Sequence, residues 1–551
     1  MNPSDWLMTR IARGEGDVAL AHRYATSTDT YTDLSRAQLL TAVRENAEGL
    51  VRHGMGPGDR VLLLAEPPQQ FVAAFLGALW AGVVPVPVPP PLWGSGARWS
   101  QSVIDAADLA QAKALIGPER VLRLLPHMPL PLLAYEALPA EATGAVTVAP
   151  YEPERVAYLQ LSSGSTGRPR AIAAPCRAVL ANSIGIMRDA LQACPTRDHA
   201  VSWLPLHHDM GLVGFVLAPL VVSMPVTLST PTAFLRSPST WMTTMAEVGG
   251  TITAAPNFAY ALAARRSRPE DVADLDLSRA RILLCGGEPI RRESVRPFVD
   301  LYAPSGLRAS AVRACYGLAE STLALTFGQG RLKAERIDSG ALRHRGRACP
   351  ARAGCDALEI VSCGRPLPGH ALQIRDEHGS PCPLRTVGEV WAKGPSTAAG
   401  YAGDEAGSQQ AFRPDGWLRT GDRGYLTEEG ELYVVGRCKD VLVVNGQNID
   451  PQRVEWAAET APGVRPNGAV AFTRPGADTE EVVVVVECLP GSARDDVAEH
   501  IRKAVAHEVR IFVADVVLGR AGTVLRTTSG KPRRQRMRTD YLSTRAGALT
   551  S

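Results

Sequence analysis

The stretch Leu159-Gln160-Leu161-Ser162-Ser163-Gly164-Ser165-Thr166-Gly167-Arg168-Pro169-Arg170 joins a short apolar run to a loop of small, hydroxyl-bearing residues. The run reads as the end of a strand. In the loop, small residues let backbone amides curl around anionic oxygens, while Ser163, Ser165 and Thr166 add hydroxyl donors. Arg170 adds positive charge at the far end. The loop lacks the closing Gly-Lys-Ser/Thr of a Walker A motif. Taken alone, the same residues also suit an ordinary Gly/Ser turn, and the local stretch does not separate the two.

On either side of this loop, strand-like and helix-like segments alternate. Arg60–Ala65 reads as a strand, Phe71–Trp80 as a packed helix and Val83–Val88 as a short extended segment. Val201–Leu204, Thr251–Ala255 and Arg281–Leu284 repeat the strand pattern, which predicts α/β layers. After about residue 360, Ala371–Arg375, Val387–Ala392 and Glu431–Val435 read as shorter strands of a β-rich subdomain. Beyond Lys439, Val441–Val444 and Glu481–Glu487 predict strands of a compact mixed region, and Ala493–Glu508 an intervening helix. The charged turn Gly436–Asp440 marks the boundary. The Pro- and Gly-rich run PVPVPPPLWGSG at 85–96 predicts surface loops.

Composition narrows the function classes. Lys plus Arg number 59 and Asp plus Glu 56, so the formal charge is +3 and gives no argument for a nucleic-acid partner. Ten cysteines in 551 residues are too sparse for a disulfide scaffold. Cys349, Cys355, Cys363 and Cys382 lack the spacing of a zinc knuckle. The N-terminus has no basic start followed by an apolar signal core, and the apolar Phe215–Pro225 is too short to span a bilayer. A cytoplasmic protein without an integral membrane segment is the expectation.

The loop at 162–170 closely resembles the phosphate-binding loop of the adenylate-forming superfamily of acyl-CoA synthetases, peptide-synthetase adenylation domains and luciferases. That loop usually ends in Lys where this chain has Arg170. Other segments resemble the family's motifs in the same order. Gly286-Gly287-Glu288-Pro289 looks like the adenine-pocket segment. Tyr316-Gly317-Leu318-Ala319-Glu320 resembles the motif whose ring packs on adenine and whose glutamate helps hold Mg2+. Thr420-Gly421-Asp422 looks like the ribose-binding segment, and Gly436-Arg437-Cys438-Lys439-Asp440 like the hinge, with Arg437 also on ribose and Lys439 at the pivot. Thr528-Ser529-Gly530-Lys531 matches the loop carrying the adenylation lysine.

The resemblance implies an α/β adenylate-forming fold. Its large body spans 1–437, including the β-rich subdomain at about 360–437, and a small mobile α+β domain spans 438–551. It also implies ATP and Mg2+ as cofactors. Ser163, Gly164, Ser165, Thr166, Gly167 and Arg170 would hold phosphates. Gly287, Glu288, Pro289, Tyr316, Gly317, Asp422 and Arg437 would hold the adenosine, Glu320 the metal, and Lys531 would bridge the incoming carboxylate and the α-phosphate. No general base is required, because a carboxylate is already ionised near neutral pH.

Within the superfamily, Leu204–Gly211 (LPLHHDMG), Ala255–Tyr260 (APNFAY), Glu320-Ser321-Thr322-Leu323 and Val361-Ser362-Cys363-Gly364 resemble the fatty-acyl-AMP ligases. His208, Asp209, Met210, Asn257 and Phe258 are acyl-pocket or structural candidates. His207, His208 and Asp209 are too close in sequence to converge comfortably on one ion. The basic stretch Gln329–Leu358 occupies the place of that branch's insertion, which disfavours CoA while leaving a phosphopantetheinylated acyl carrier protein as acceptor; an ordinary surface loop is the alternative. The expected substrate is a fatty or related carboxylic acid. An acyl- or aryl-CoA ligase and a catalytically retired adenylate-binding protein are the other readings.

Overall fold

A computed structural model describes all residues except 1–5, 14–19, 26–30, 92–95, 127, 163–168, 445–446, 477–479, 493, 528–529 and 550–551. Its largest sheet has a parallel centre. Val312–Gly317, Ile282–Cys285, Ile252–Ala255, Ala200–Ser202, Val226–Leu228 and Leu20–Ala25 run in that order. Antiparallel strands Ala324–Phe327 and Tyr31–Ser35 flank them. The central strands are short and buried, with helices packed against them, which is why their sequences are apolar runs without alternation. The α/β class expected from the sequence is the class observed.

A second parallel sheet orders Val84–Val88, Arg60–Leu64, Ala114–Gly117 and Leu132–Ala134. Here the expectation of surface loops at 85–96 is corrected for its first residues, since Val84–Val88 is a fully buried strand. Its prolines are tolerated because the strand is an edge. Val84 N donates to Asp59 O on the Arg60 side, so by alternation the positions of Pro85 and Pro87 face away from the one hydrogen-bonded neighbour. The helix Pro68–Ala81 packs closely on Arg36–Arg52 through Gly77. A Cβ there would meet Asn46 Cβ at 2.7 Å and Val43 O at 3.0 Å.

The strand Val156–Ser162 pairs antiparallel with Arg170–Pro175, which also pairs with the two-residue strand Gly400–Tyr401. This fixes both ends of the 162–170 loop. The β-rich segment forms an antiparallel sheet, Ala371–Arg375, Gly388–Lys393, Leu418–Leu426 and Leu432–Arg437. Residues 329–358 include strand Ala334–Asp338, paired with Ala357–Val361, and helix Ser339–Arg345. Ile337, Ala348 and Ile360 pack against Tyr425 and Tyr433 of the β-rich sheet.

Past residue 440, Val464–Pro475, Glu480–Cys488 and Val513–Gly519 form a separate sheet. The run EEVVVVVEC is its centre and is covered on both faces. Val482, Val484 and Val486 pack with the helices Pro451–Glu459 and Arg494–Glu508. Val483 and Val485 pack with Val524 and Met537. Among the described residues, no helix is long and apolar enough to cross a membrane.

Candidate active site

A cavity of about 580 Å³ opens where the main parallel sheet, the β-rich sheet and the loop before Lys531 meet. It gathers Arg170, His208, Asp209, Met210, Phe258, Gly287, Glu288, Tyr316, Gly317, Glu320, Asp422, Arg437, Lys439 and Lys531 around one space. Ser163, Gly164, Ser165, Thr166 and Gly167 lie outside the described residues. Two expected residues do not line the cavity. Pro289 lies beyond its wall, and Asn257 uses its Oδ1 to accept the backbone N–H of Arg291 at 3.0 Å.

Local backbone geometry accounts for the glycines. The strand Ile282–Cys285 ends in a turn where Gly287 has φ 77°, in the left-handed region that glycine occupies without strain. Glu288 follows, and its Oε1 accepts the N–H of Phe258 at 2.6 Å. After Tyr316, a Cβ on Gly317 would lie 1.8 Å from Leu323 O. The chain folds back there through a γ-turn at Thr322, with φ 67°, ψ −57° and Leu323 N donating to Ser321 O at 2.8 Å. Such a turn is strained for a β-branched residue. Thr322 Oγ1 holds it by donating to Ser396 O at 2.8 Å. Glu320 sits immediately before this turn.

The polar end of the cavity is arranged in pairs. Asp422 faces Arg437 across the antiparallel register, with Arg437 Nε 3.2 Å from Asp422 Oδ1. Tyr316 Oη donates to Asp422 Oδ2 at 2.8 Å. The Asp422 carboxylate raises the Arg437 pKa. Glu320 Oε1 accepts from Tyr401 Oη at 3.0 Å. Burial pushes the Lys531 ammonium down and Arg437 adds to the effect, while Asp209, Asp422 and Glu288 oppose it. Burial lifts the Asp209 carboxyl to about 6, with Lys531 and the Met210 N–H pulling the other way. Burial also raises Glu288, against the Phe258 N–H and Lys531. Lys531 and Arg437 thus share one space with the carboxylates of Asp209, Glu288, Glu320 and Asp422.

The other end is apolar. Ile186 and Met187 come from the π-helix Gly185–Ala190, and Gly214 and Phe215 from the π-helix Val213–Leu217, with Trp203, Leu323 and Phe327 completing the wall. Two such π segments at one cavity fit their association with functional sites. The His207 and His208 rings lie 4.3 Å apart between centroids, tilted by 49°, and Gln160 Nε2 donates to His207 O at 2.8 Å. The described residues contain no group of three or more His, Cys, Asp and Glu able to hold a metal.

Sequence reasoning missed Gln160, Tyr401 and the apolar wall. Tyr401 lies on a strand of two residues, too short for any periodicity. Ile186, Met187, Trp203 and Phe215 have the composition of any core segment.

This architecture is that of the adenylate-forming enzymes. The AMP-binding enzyme family matches residues 9–402. A putative acyl-CoA synthetase of Caulobacter vibrioides is 38% identical to this chain, covering 90% of it and 88% of the relative. A long-chain-fatty-acid–AMP ligase of Mycobacterium marinum is 34% identical, covering 89% and 88%. A solved structure from work on fatty acyl-adenylate ligases of E. coli and L. pneumophila superposes with a TM-score of 0.92 at 32% identity, covering 98% of each chain. The chain belongs to the AMP-binding enzyme family, among its fatty-acyl-AMP ligases, and is an acid-activating, adenylate-forming ligase.

Proposed function

We propose that this enzyme converts a fatty or related carboxylic acid and ATP into acyl-AMP and pyrophosphate, and then passes the acyl group to the phosphopantetheine thiol of an acyl carrier protein, the C–S bond forming as the bond to AMP breaks and AMP leaves. The observation that carries the first step is the convergence, in one cavity, of Lys531, the Tyr316–Asp422–Arg437 set and Glu320 beside an apolar recess. The acid's ionised carboxylate forms a bond to the α-phosphorus as the bond to pyrophosphate breaks. Lys531, unpaired within hydrogen-bonding distance of any described carboxylate, places a charge where carboxylate and phosphate oxygens approach one another. A preorganised charge in a poorly solvated site lowers such a barrier more than it would in water.

Asp422, held by Tyr316 and Arg437, receives the ribose hydroxyls, and the 162–170 loop with Arg170 receives the β- and γ-phosphates. Glu320 would hold Mg2+. The fit is good, because Mg2+ is bound through one or two carboxylates and the substrate's own phosphates rather than by an all-protein cage. When bound, the ion neutralises phosphate charge.

The residues 438–551 form the mobile unit in this reading, pivoting near Lys439, and residues 329–358 limit entry of CoA. The ten cysteines, all free, fit a reducing cytoplasm. Acid-dependent ATP–pyrophosphate exchange over a panel of chain lengths tests the first step; absence of exchange with every acid leaves a nucleotide-binding protein. Parallel transfer assays with CoA and with a phosphopantetheinylated carrier test the second. The 38% identity to a putative acyl-CoA synthetase favours a CoA ligase as the alternative, and comparable thioester formation on both thiols would establish it.

A further inference from the structure

Tyr401 has no part in the roles given above, yet it touches two of the groups they use. Its Oη donates to Glu320 Oε1 at 3.0 Å. The guanidinium carbon of Arg170 lies 4.5 Å from the centroid of its ring. Glu320 and Arg170 are 150 residues apart in sequence, and one side chain meets both.

The surroundings hold that side chain still. Strand Gly400–Tyr401 pairs with Arg170–Pro175 in the register Tyr401↔Ile172, so the tyrosine and Arg170 ride on adjoining strands. Tyr401 N donates to Ser408 Oγ at 2.8 Å, and Phe412 packs edge-on against the ring at 5.4 Å. The neighbouring Ala398 N donates to Glu320 O at 2.9 Å, tying the same segment to the backbone of the glutamate. Tyr401 is 7% exposed, too little for its position to be set by solvent.

The hydroxyl and the ring do different things. A phenol that donates to one carboxylate oxygen fixes the rotation of that carboxylate. No described residue donates to Glu320 Oε2, so the second oxygen of this cavity-lining carboxylate is left for a ligand. Mg2+ demands near-ideal octahedral geometry, so a wrongly rotated carboxylate binds it poorly. The ring face, negative at its centre, attracts the Arg170 guanidinium. Arg170 is held from its other side by an ion pair with Asp404, whose Oδ2 is 3.7 Å from its Nε.

We propose that Tyr401 is a positioning residue for the metal and phosphate end of the site, its hydroxyl orienting Glu320 for Mg2+ and its ring holding Arg170 for the phosphates. The inference rests on the roles given to Glu320 and Arg170 under the proposed function.

The test uses the full-length enzyme and separates the two contacts. Tyr401→Phe removes the hydroxyl and keeps the ring; Tyr401→Ala removes both. Mn2+ serves as a spectroscopic probe, its binding followed by electron paramagnetic resonance in the presence of α,β-methylene-ATP. Hydrogen-bond partners of metal ligands change affinity by roughly 10–100-fold. Tyr401→Phe should weaken Mn2+ binding by about tenfold and raise the half-saturating Mg2+ in pyrophosphate exchange by a similar factor. Its ATP KM at saturating Mg2+ should stay near wild type, whereas Tyr401→Ala should raise that KM as well. Glu320→Gln, the control, should weaken Mn2+ binding at least as much. If Glu320→Gln weakens Mn2+ and Tyr401→Phe does not, the inference falls and the role of Glu320 stands. If neither does, the Glu320 reading falls and takes the inference with it. A uniform loss of metal, nucleotide and acid affinity in Tyr401→Phe, together with a lowered Tm, would mean a purely structural tyrosine and would also overturn it.

Discussion

The two ends of the cavity are built on different principles. At the polar end, Tyr316, Asp422 and Arg437 are already hydrogen-bonded or ion-paired to one another, and strand register sets Asp422 opposite Arg437. At the apolar end, Ile186, Met187 and Phe215 sit on π-helices and Trp203 just after the strand Ala200–Ser202, and they make an apolar wall. In the proposed function, a constant ligand, adenosine, is met by fixed directional groups. A variable ligand, an alkyl or aryl chain, is met by surface that can change in size without changing chemistry. Mutations at the first end should therefore cost rate or nucleotide affinity whatever the acid, and mutations at the second should change only which acid is used.

The largest effect belongs to Lys531→Ala. Loss of a charge aimed at the transition state costs about 3–4 kcal/mol, so acid-dependent pyrophosphate exchange should fall by roughly 10²–10³-fold. Circular dichroism and Tm should stay close to wild type, because the ammonium makes no direct ion pair with a described residue. Exchange at the wild-type rate would remove Lys531 from the mechanism.

Asp422→Ala comes next. It deletes the acceptor that Tyr316 and Arg437 hold in place, so the ATP KM should rise by about 10–100-fold with every acid tested. A change confined to long acids would mean that the two ends are not independent.

At the acyl end, Gly214→Leu is the matching change. A Cβ there has only Leu323 Cδ2 at 3.5 Å, so the fold tolerates it while the added carbons fill the recess. At about 0.8 kcal/mol per buried methylene, excluding two or three of them should lower kcat/KM for a long acid by about tenfold or more. A short acid and the ATP KM should be unaffected. Equal losses for short and long acids would show that the recess does not take the chain.

The smallest effect is on stability and pH. Asp209, raised to about 6, binds its proton more tightly in the folded chain than in the unfolded one, where a carboxyl titrates near 3.9. Its contribution is therefore fully present below pH of about 4 and is lost as pH rises through about 6, at most about 3 kcal/mol. Asp209→Asn should raise Tm by a few degrees at pH 8 and by nothing at pH 4, read by differential scanning fluorimetry. A pH-independent difference would contradict the cause given for the shift.

The same contrast explains what could be read from sequence. The residues that gather at the polar end of the cavity were legible because they lie on or just after strands, in short motifs where a glycine such as Gly287 or Gly317 is forced by backbone geometry. Strand positions such as Arg60–Leu64 and Glu480–Cys488 were legible because burial on both faces leaves an unbroken apolar run. The acyl wall was not, since a residue lining a recess and a residue filling a core obey one composition rule. Tyr401 was hidden for another reason: its partners, Glu320 and Arg170, are joined to it only by tertiary packing. The run at 85–88 carried two readings, the extended segment Val83–Val88 and the start of a proline-rich loop; the strand Val84–Val88 bears out the first, and the sheet order reveals an edge where proline is allowed.

That edge has a consequence for the chain before folding is complete, because in the finished structure Val84–Val88 is buried. The exposed side of a terminal strand is ordinarily a row of donors and acceptors ready to recruit a stray strand from another molecule. On Val84–Val88 the valine N–H groups point at the strand Arg60–Leu64, and the two positions that would offer N–H groups to the outside are Pro85 and Pro87. An incoming strand finds carbonyls and no donors, and cannot complete a ladder. The buried, valine-rich segment that would otherwise be an aggregation nucleus in a half-folded chain carries its own protection.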